Sequence, residues 1–102
     1  MDARERIEFV YDGLVGTDSI PVKLRQKHPV DYDKLEQIIE SVRFLVEYYK
    51  GNDMVPKKLA ICFVDIYGAF QFNEDYFDEK TLNELEDIGI LLQEMAYELF
   101  EE

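Results

Sequence analysis

The chain has no tryptophan, one cysteine (Cys62) and one histidine (His28). A lone cysteine excludes an internal disulfide. One histidine and one cysteine cannot supply a typical zinc site. The Glu-x-x-His pairs of a di-iron bundle are missing too, because Arg25 stands three residues before His28. Asn73, Asp75 and Asp78 lack the spacing and the central glycine of a calcium loop. Gly13 and Gly16 are too close together for a phosphate-binding loop, and no Gly-Lys-Ser/Thr follows them. Ser19, His28 and Asp31 come without a nucleophile motif. No metal, no cofactor and no catalytic residue can be named, and the chain is not expected to be an enzyme.

Long apolar runs are also scarce. The longest, Leu59–Phe72, is broken by Asp65, Gly68 and Gln71 and is too short to span a bilayer. The charged start, MDARERIEF, lacks the apolar stretch of a signal peptide. Cys62 lies inside the apolar run, where a single cysteine behaves as a small hydrophobe. A soluble, cytoplasmic protein is expected.

Positive charge is the largest shortage. There are 23 acids against 11 bases, a formal net charge of −12. Residues 51–102 hold thirteen of the acids and three of the bases. Such a field repels nucleic acids and anionic membranes and attracts basic proteins. The exception is the 17–30 connector, where Lys23, Arg25, Lys27 and His28 cluster. They can clasp the molecule's own acidic surface or touch a phosphate or an acidic partner. Direct nucleic-acid binding and membrane binding are not expected.

What is present reads as helix. A chain of 102 residues suits a single domain, 1–102, with one core. Residues 3–15 place Ala3, Ile7, Val10, Tyr11 and Leu14 on one face, and Gly13 and Gly16 mark the end. Phe9 falls off that face. Pro21 can open a short helical turn within 17–30. Residues 33–50, with Tyr32 just before them, place Tyr32, Leu35, Ile38, Ile39, Val42, Leu45, Val46 and Tyr49 on a buried stripe, with Asp33 and Glu36 at capping-box spacing. Phe44 and Tyr48 lie off the stripe. They are expected to cover the connector, or else to form an exposed patch for self-association into a homodimer. Residues 56–72, with Asp53 as cap, carry Leu59, Cys62, Phe63, Ile66, Ala69 and Phe70 on one face, extended by Ala60, Val64 and Tyr67. A strand there would need partners that the chain does not offer. Residues 81–100 show a heptad seam through Leu82, Leu85, Gly89, Leu92, Ala96 and Leu99, widened by Ile88, Leu91 and Met95. The small Gly89 and Ala96 would let a neighbour approach closely. The expected fold is all-α: a small antiparallel four-helix bundle with a short extra helical turn in the 17–30 connector.

The last helix breaks a local rule. Asp87, Glu94, Glu98 and Glu101 project on one ridge, and no base occurs between Thr81 and Glu102. Acids near a helix C-terminus oppose its dipole by about 0.3–1 kcal/mol each, and such conflicts are more frequent at functional sites. Just before this helix, Glu74, Asp75, Asp78 and Glu79 surround Tyr76 and Phe77, rings of the kind that anchor interfaces. Together these residues point to one acidic, aromatic-tipped surface for a basic protein such as a nuclease or a nucleic-acid-binding protein. Small acidic immunity proteins, antitoxins and inhibitors offer the analogy in charge and size; no motif carries it. The alternative is a self-associating assembly subunit built on Phe44 and Tyr48. A small enzyme is the remaining class.

Overall fold

In a computed structural model of the protein, which describes residues 1–101, each long helix opens on an aspartate. The Asp2 carboxylate accepts from the Glu5 N–H at 2.8 Å, Asp31 from Lys34 at 3.0 Å, and Asp78 from Thr81 at 2.8 Å. Each aspartate thereby satisfies a backbone donor that has no partner within the helix. The first cap is a full capping box, with Glu5 accepting in return from the Asp2 N–H. The helices so started are α1 (Ala3–Leu14), α3 (Tyr32–Tyr48) and α6 (Glu79–Phe100). Between them lie three short ones: α2 (Ile20–Arg25), α4 (Lys57–Ile61) and α5 (Ile66–Ala69). No strand occurs among the described residues, so the all-α class holds. α2 is the extra turn expected in the connector, capped by Ser19. Glu102, the last acid of the sequence, lies outside the described residues. No helix among those described is long and apolar enough to cross a membrane.

Several local expectations need correction. The cap of α3 is Asp31 rather than Asp33, because the carboxylate two residues earlier reaches the Lys34 N–H. Asp53 does not cap α4, whose N-cap position is held by Pro56 with no side-chain cap. α1 ends at Leu14, between Gly13 and Gly16 as their positions imply, but neither glycine is a left-handed cap and Gly13 lies within the last helical turn. It is buried against Ile38 of α3, and a Cβ there would collide with the Ile38 side chain.

The largest correction concerns residues 56–72, which form two short helices instead of one. After α4, the amides of Cys62, Phe63 and Val64 bond to carbonyls three residues back, at 3.1, 3.1 and 3.4 Å. Ile61–Tyr67 is a run of β-branched, aromatic and other residues from the weaker half of the helix scale. A tightened turn costs them little, and Leu59, Cys62, Phe63, Ile66 and Phe70 still reach the core. Val64 and Tyr67 do not extend the apolar face. They are 77% and 42% exposed.

The core is assembled by pairs of helices. α1 packs on α3, where Arg6 donates to the buried Ser41 hydroxyl at 3.2 Å. α5 packs on α6 at Gly89. A Cβ on Gly89 would lie 3.1 Å from Phe70 Cβ, so the small residue lets the two backbones close in as its spacing implied. Ile38, Val42, Leu45, Leu59, Leu85 and Leu92 have no exposure at all. Burying side chains of this kind contributes about 1.5–3 kcal/mol each.

Candidate functional site

α3 and α6 lie side by side and run in the same sense. Near their starts, Tyr32 is not on the buried face expected for it but 51% exposed, where its hydroxyl donates to Glu84 at 2.6 Å. That carboxylate favours the protonated phenol and raises its pKa. Towards their ends, Arg43, Val46 and Glu47 of α3 face Leu91, Glu94, Met95 and Glu98 of α6 across an open groove of about 410 Å³. Val46, Glu47 and Glu98 also line an adjoining depression of about 270 Å³, completed by Lys50 and Glu101. The two form one channel, floored in the groove by the partly exposed Val46 and Leu91 over the buried Met95, and by Val46 alone at the Lys50–Glu101 end. Its rim carries four carboxylates against two cations.

The channel's charges are held apart. The one salt bridge among the described residues is Lys58–Glu8, at 2.7 Å, and it involves none of these groups. Neither α3 nor α6 has a base in its last turn, so their negative dipole ends meet the acids uncompensated from within those helices. Such a channel suits a cationic group that brings an apolar side chain with it.

Of the acids singled out in the sequence, the structure brings Glu94, Glu98 and Glu101 together with Glu47. Asp87 is exposed on the same ridge, about 10 Å before Glu94 along the helix. The connector acids are elsewhere. Asp78 caps the N-terminus of α6, and twenty residues of helix put it about 30 Å from Glu98. The single acidic surface expected from the sequence is therefore two. Glu74, Asp75, Asp78 and Glu79 are exposed. The Thr81 hydroxyl and N–H bond to the Asp78 carboxylate and hold its pKa below the usual range. Tyr76 and Phe77 are half-buried, packed on Phe72 at centroid distances of 5.7 and 5.8 Å.

The basic connector clasps this aromatic segment. Arg25 donates to the carbonyls of Pro21, Ala69 and Gly68 at 3.3, 3.3 and 3.4 Å. Its guanidinium lies 5.0 Å over the Phe72 ring, and the Lys27 ammonium lies 5.2 Å over Tyr76. Phe44 and Tyr48 consequently do not cover the connector. They stack at 6.0 Å on the outside of α3, 38% and 57% exposed, with Arg6 4.4 Å over Phe44. At 100° per residue they face away from the Val46 side of the helix.

Sequence reasoning missed the floor of the channel and the contribution of α3. The available signal was the spacing of Arg43, Glu47 and Lys50 beside Val46. It also missed a second depression of about 360 Å³, where Val15, Ile61 and Val64 remain open to solvent. Cys62 is buried as expected; its thiol donates to the Lys58 carbonyl at 3.3 Å, and burial pushes its pKa up to about 11. Among the described residues no group of three or more His, Cys, Asp or Glu side chains is placed to hold a metal ion. Compared with protein-family models, curated proteins and solved structures, the chain matches none.

Proposed function

We propose that the protein is a binding module that captures a strongly basic protein and neutralises it by covering its cationic surface, in the manner of an immunity protein, antitoxin or inhibitor. The observation that carries this reading is the α3–α6 channel, with Glu47, Glu94, Glu98 and Glu101 outside any salt bridge above an apolar floor. A nuclease or another nucleic-acid-binding protein presents the matching surface, and the carboxylates would occupy the place of phosphates. The exposed connector acids Glu74, Asp75, Asp78 and Glu79, with the half-buried rings of Tyr76 and Phe77, give a second contact at the other end of α6 and steer the encounter. Asp87 lies between the two. Binding in the cytoplasm, by one domain and without catalysis or cofactor, belongs to the same proposal.

So does the finer architecture, an antiparallel four-helix bundle in which α4 and α5 together count as the third member. Support comes from residue pairs that run in opposite order. Arg6 meets Ser41 while Gly13 meets Ile38, and Phe63 meets Phe100 while Phe70 meets Gly89. The second and fourth members then run in the same sense, as α3 and α6 do.

The test is the salt dependence of binding to a basic protein recovered from the native cell. Affinity is expected to fall steeply with salt. It is also expected to be lost when Asp75, Asp78, Glu94 and Glu98 are all changed to lysine. Binding untouched by that reversal contradicts the proposal. A second reading, self-association, is favoured by the stacked and exposed Phe44 and Tyr48. It requires a dimer in light scattering that F44A with Y48A dissociates.

A further inference from the structure

Resting on the reading of the protein as a binder of a basic partner, we propose that the occupant of the α3–α6 channel is an amphipathic α-helix of about three turns. It is lysine- and arginine-rich on its flanks, and its N-terminus lies at the Lys50–Glu101 end. The length follows from the channel, which runs from Leu91 to Glu101, about 15 Å of helix rise.

The floor and rim set the pattern of the occupant. Val46, Leu91 and Met95 form a narrow apolar strip between two helices. A third helix laid along it meets the strip with side chains at i, i+3, i+4 and i+7, and its flanks then face Glu47 on one side and Glu94 and Glu98 on the other. An extended basic peptide fits less well. It alternates its side chains between two faces and so offers one strip only half of them. No strand edge exists among the described residues to bind its backbone.

The direction follows from the dipoles. α3 and α6 both end at the Lys50–Glu101 end, and their last-turn carbonyls and carboxylates make that end negative. A helix N-terminus there is attracted by both, whereas a C-terminus would add a third negative end. Lys50 opposes this arrangement, but Glu98 and Glu101 line the same depression and outnumber it. Arg43 stands at the opposite end, where the occupant's free carbonyls emerge.

The test uses the full chain and two fluorescent peptides of about fourteen residues, roughly four turns, with the same lysine and leucine composition. One has its leucines on a helical stripe; the other is scrambled so that no stripe forms. By fluorescence anisotropy the striped peptide is expected to bind about tenfold more tightly or better. That advantage is expected to disappear in L91Q and in the double variant E94K/E98K. It is expected to survive in D12K/D18K, which makes the same change in net charge at two exposed residues that line neither part of the channel. Thermal melts of each variant establish that it is folded. A spin label on the peptide's N-terminus is expected to broaden the amide signals of Lys50 and Glu101, and one on its C-terminus those of Arg43 and Leu91. Equal affinity for the two peptides overturns the helix proposal and leaves the basic-partner reading standing. No binding of either peptide at low salt overturns both. Broadening at the opposite ends overturns the orientation, and a protein dimer that the peptide disperses assigns the channel to a second copy.

Discussion

Changing Glu98 to lysine should make the isolated protein more stable. Glu98 is exposed in the last turn of α6, four residues after Glu94, and shares the channel wall with Glu47 and Glu101. Its charge opposes the helix dipole by about 0.3–1 kcal/mol at low salt and repels Glu94 by about 0.2–0.5 kcal/mol. Lysine reverses both terms and places Glu94 four residues ahead of it, the favourable order for such a pair. Lys50 loses a nearby carboxylate, which takes back about 0.5 kcal/mol. The net gain is about 1 kcal/mol, or about 4–8 °C in Tm for a domain of this size. Circular-dichroism melts at about 20 mM and about 500 mM NaCl read it directly, since salt screens exposed charges. The gain should be clear at low salt and shrink at high salt. An unchanged or lower Tm at low salt would refute the reasoning. The acids would then be in no conflict with their helix, and their placement would no longer point to a partner.

Other consequences follow from the packing. G89L is expected to cost about 3 kcal/mol in urea unfolding, because the new side chain meets Phe70 Cβ and the Tyr67 carbonyl, which belong to a close backbone and cannot rotate away. R25A removes the donor shared by the Pro21, Gly68 and Ala69 carbonyls and the cation over Phe72. A loss of about 1 kcal/mol is expected, with faster amide exchange confined to residues 66–77. Cys62 is expected to resist thiol reagents at neutral pH until the protein unfolds. Its folded pKa of about 11 lies above the ordinary 9.0, so the unfolded chain releases this proton first. Stability is therefore full below about pH 9 and declines through about pH 11. The raised pKa values of Tyr32 and Tyr49 act in the same direction. An alkaline titration of Tm that stays flat through that window contradicts the burial of Cys62, the partial burial of Tyr49 and the Tyr32–Glu84 hydrogen bond.

The long helices were legible because their patterns are redundant. In α6, Leu85, Gly89, Leu92, Ala96 and Leu99 all fall on the seam and all are buried. The break between α4 and α5 was not legible from spacing. Leu59, Cys62, Phe63, Ile66 and Phe70 line one face of a straight helix and also of two short helices joined by a tightened turn. The weak helix propensity of Ile61–Tyr67 decides between them, and periodicity does not register it. The acidic ridge of α6 could be read from composition and helical spacing alone. The floor beneath it could not, because Val46 and Leu91 have the spacing of core residues. Their partial exposure depends on which helices cover them, a property of the tertiary arrangement. The clasp of Arg25 and Lys27 on Phe72 and Tyr76 joins residues more than forty apart, and no local pattern announces it.

The most direct test of the central claim is the dissociation constant for the basic partner, measured for the native chain and for E94K/E98K in the same low-salt buffer. A loss of at least about tenfold in affinity is expected, in a variant that is no less stable than the native chain. An unchanged dissociation constant would contradict it.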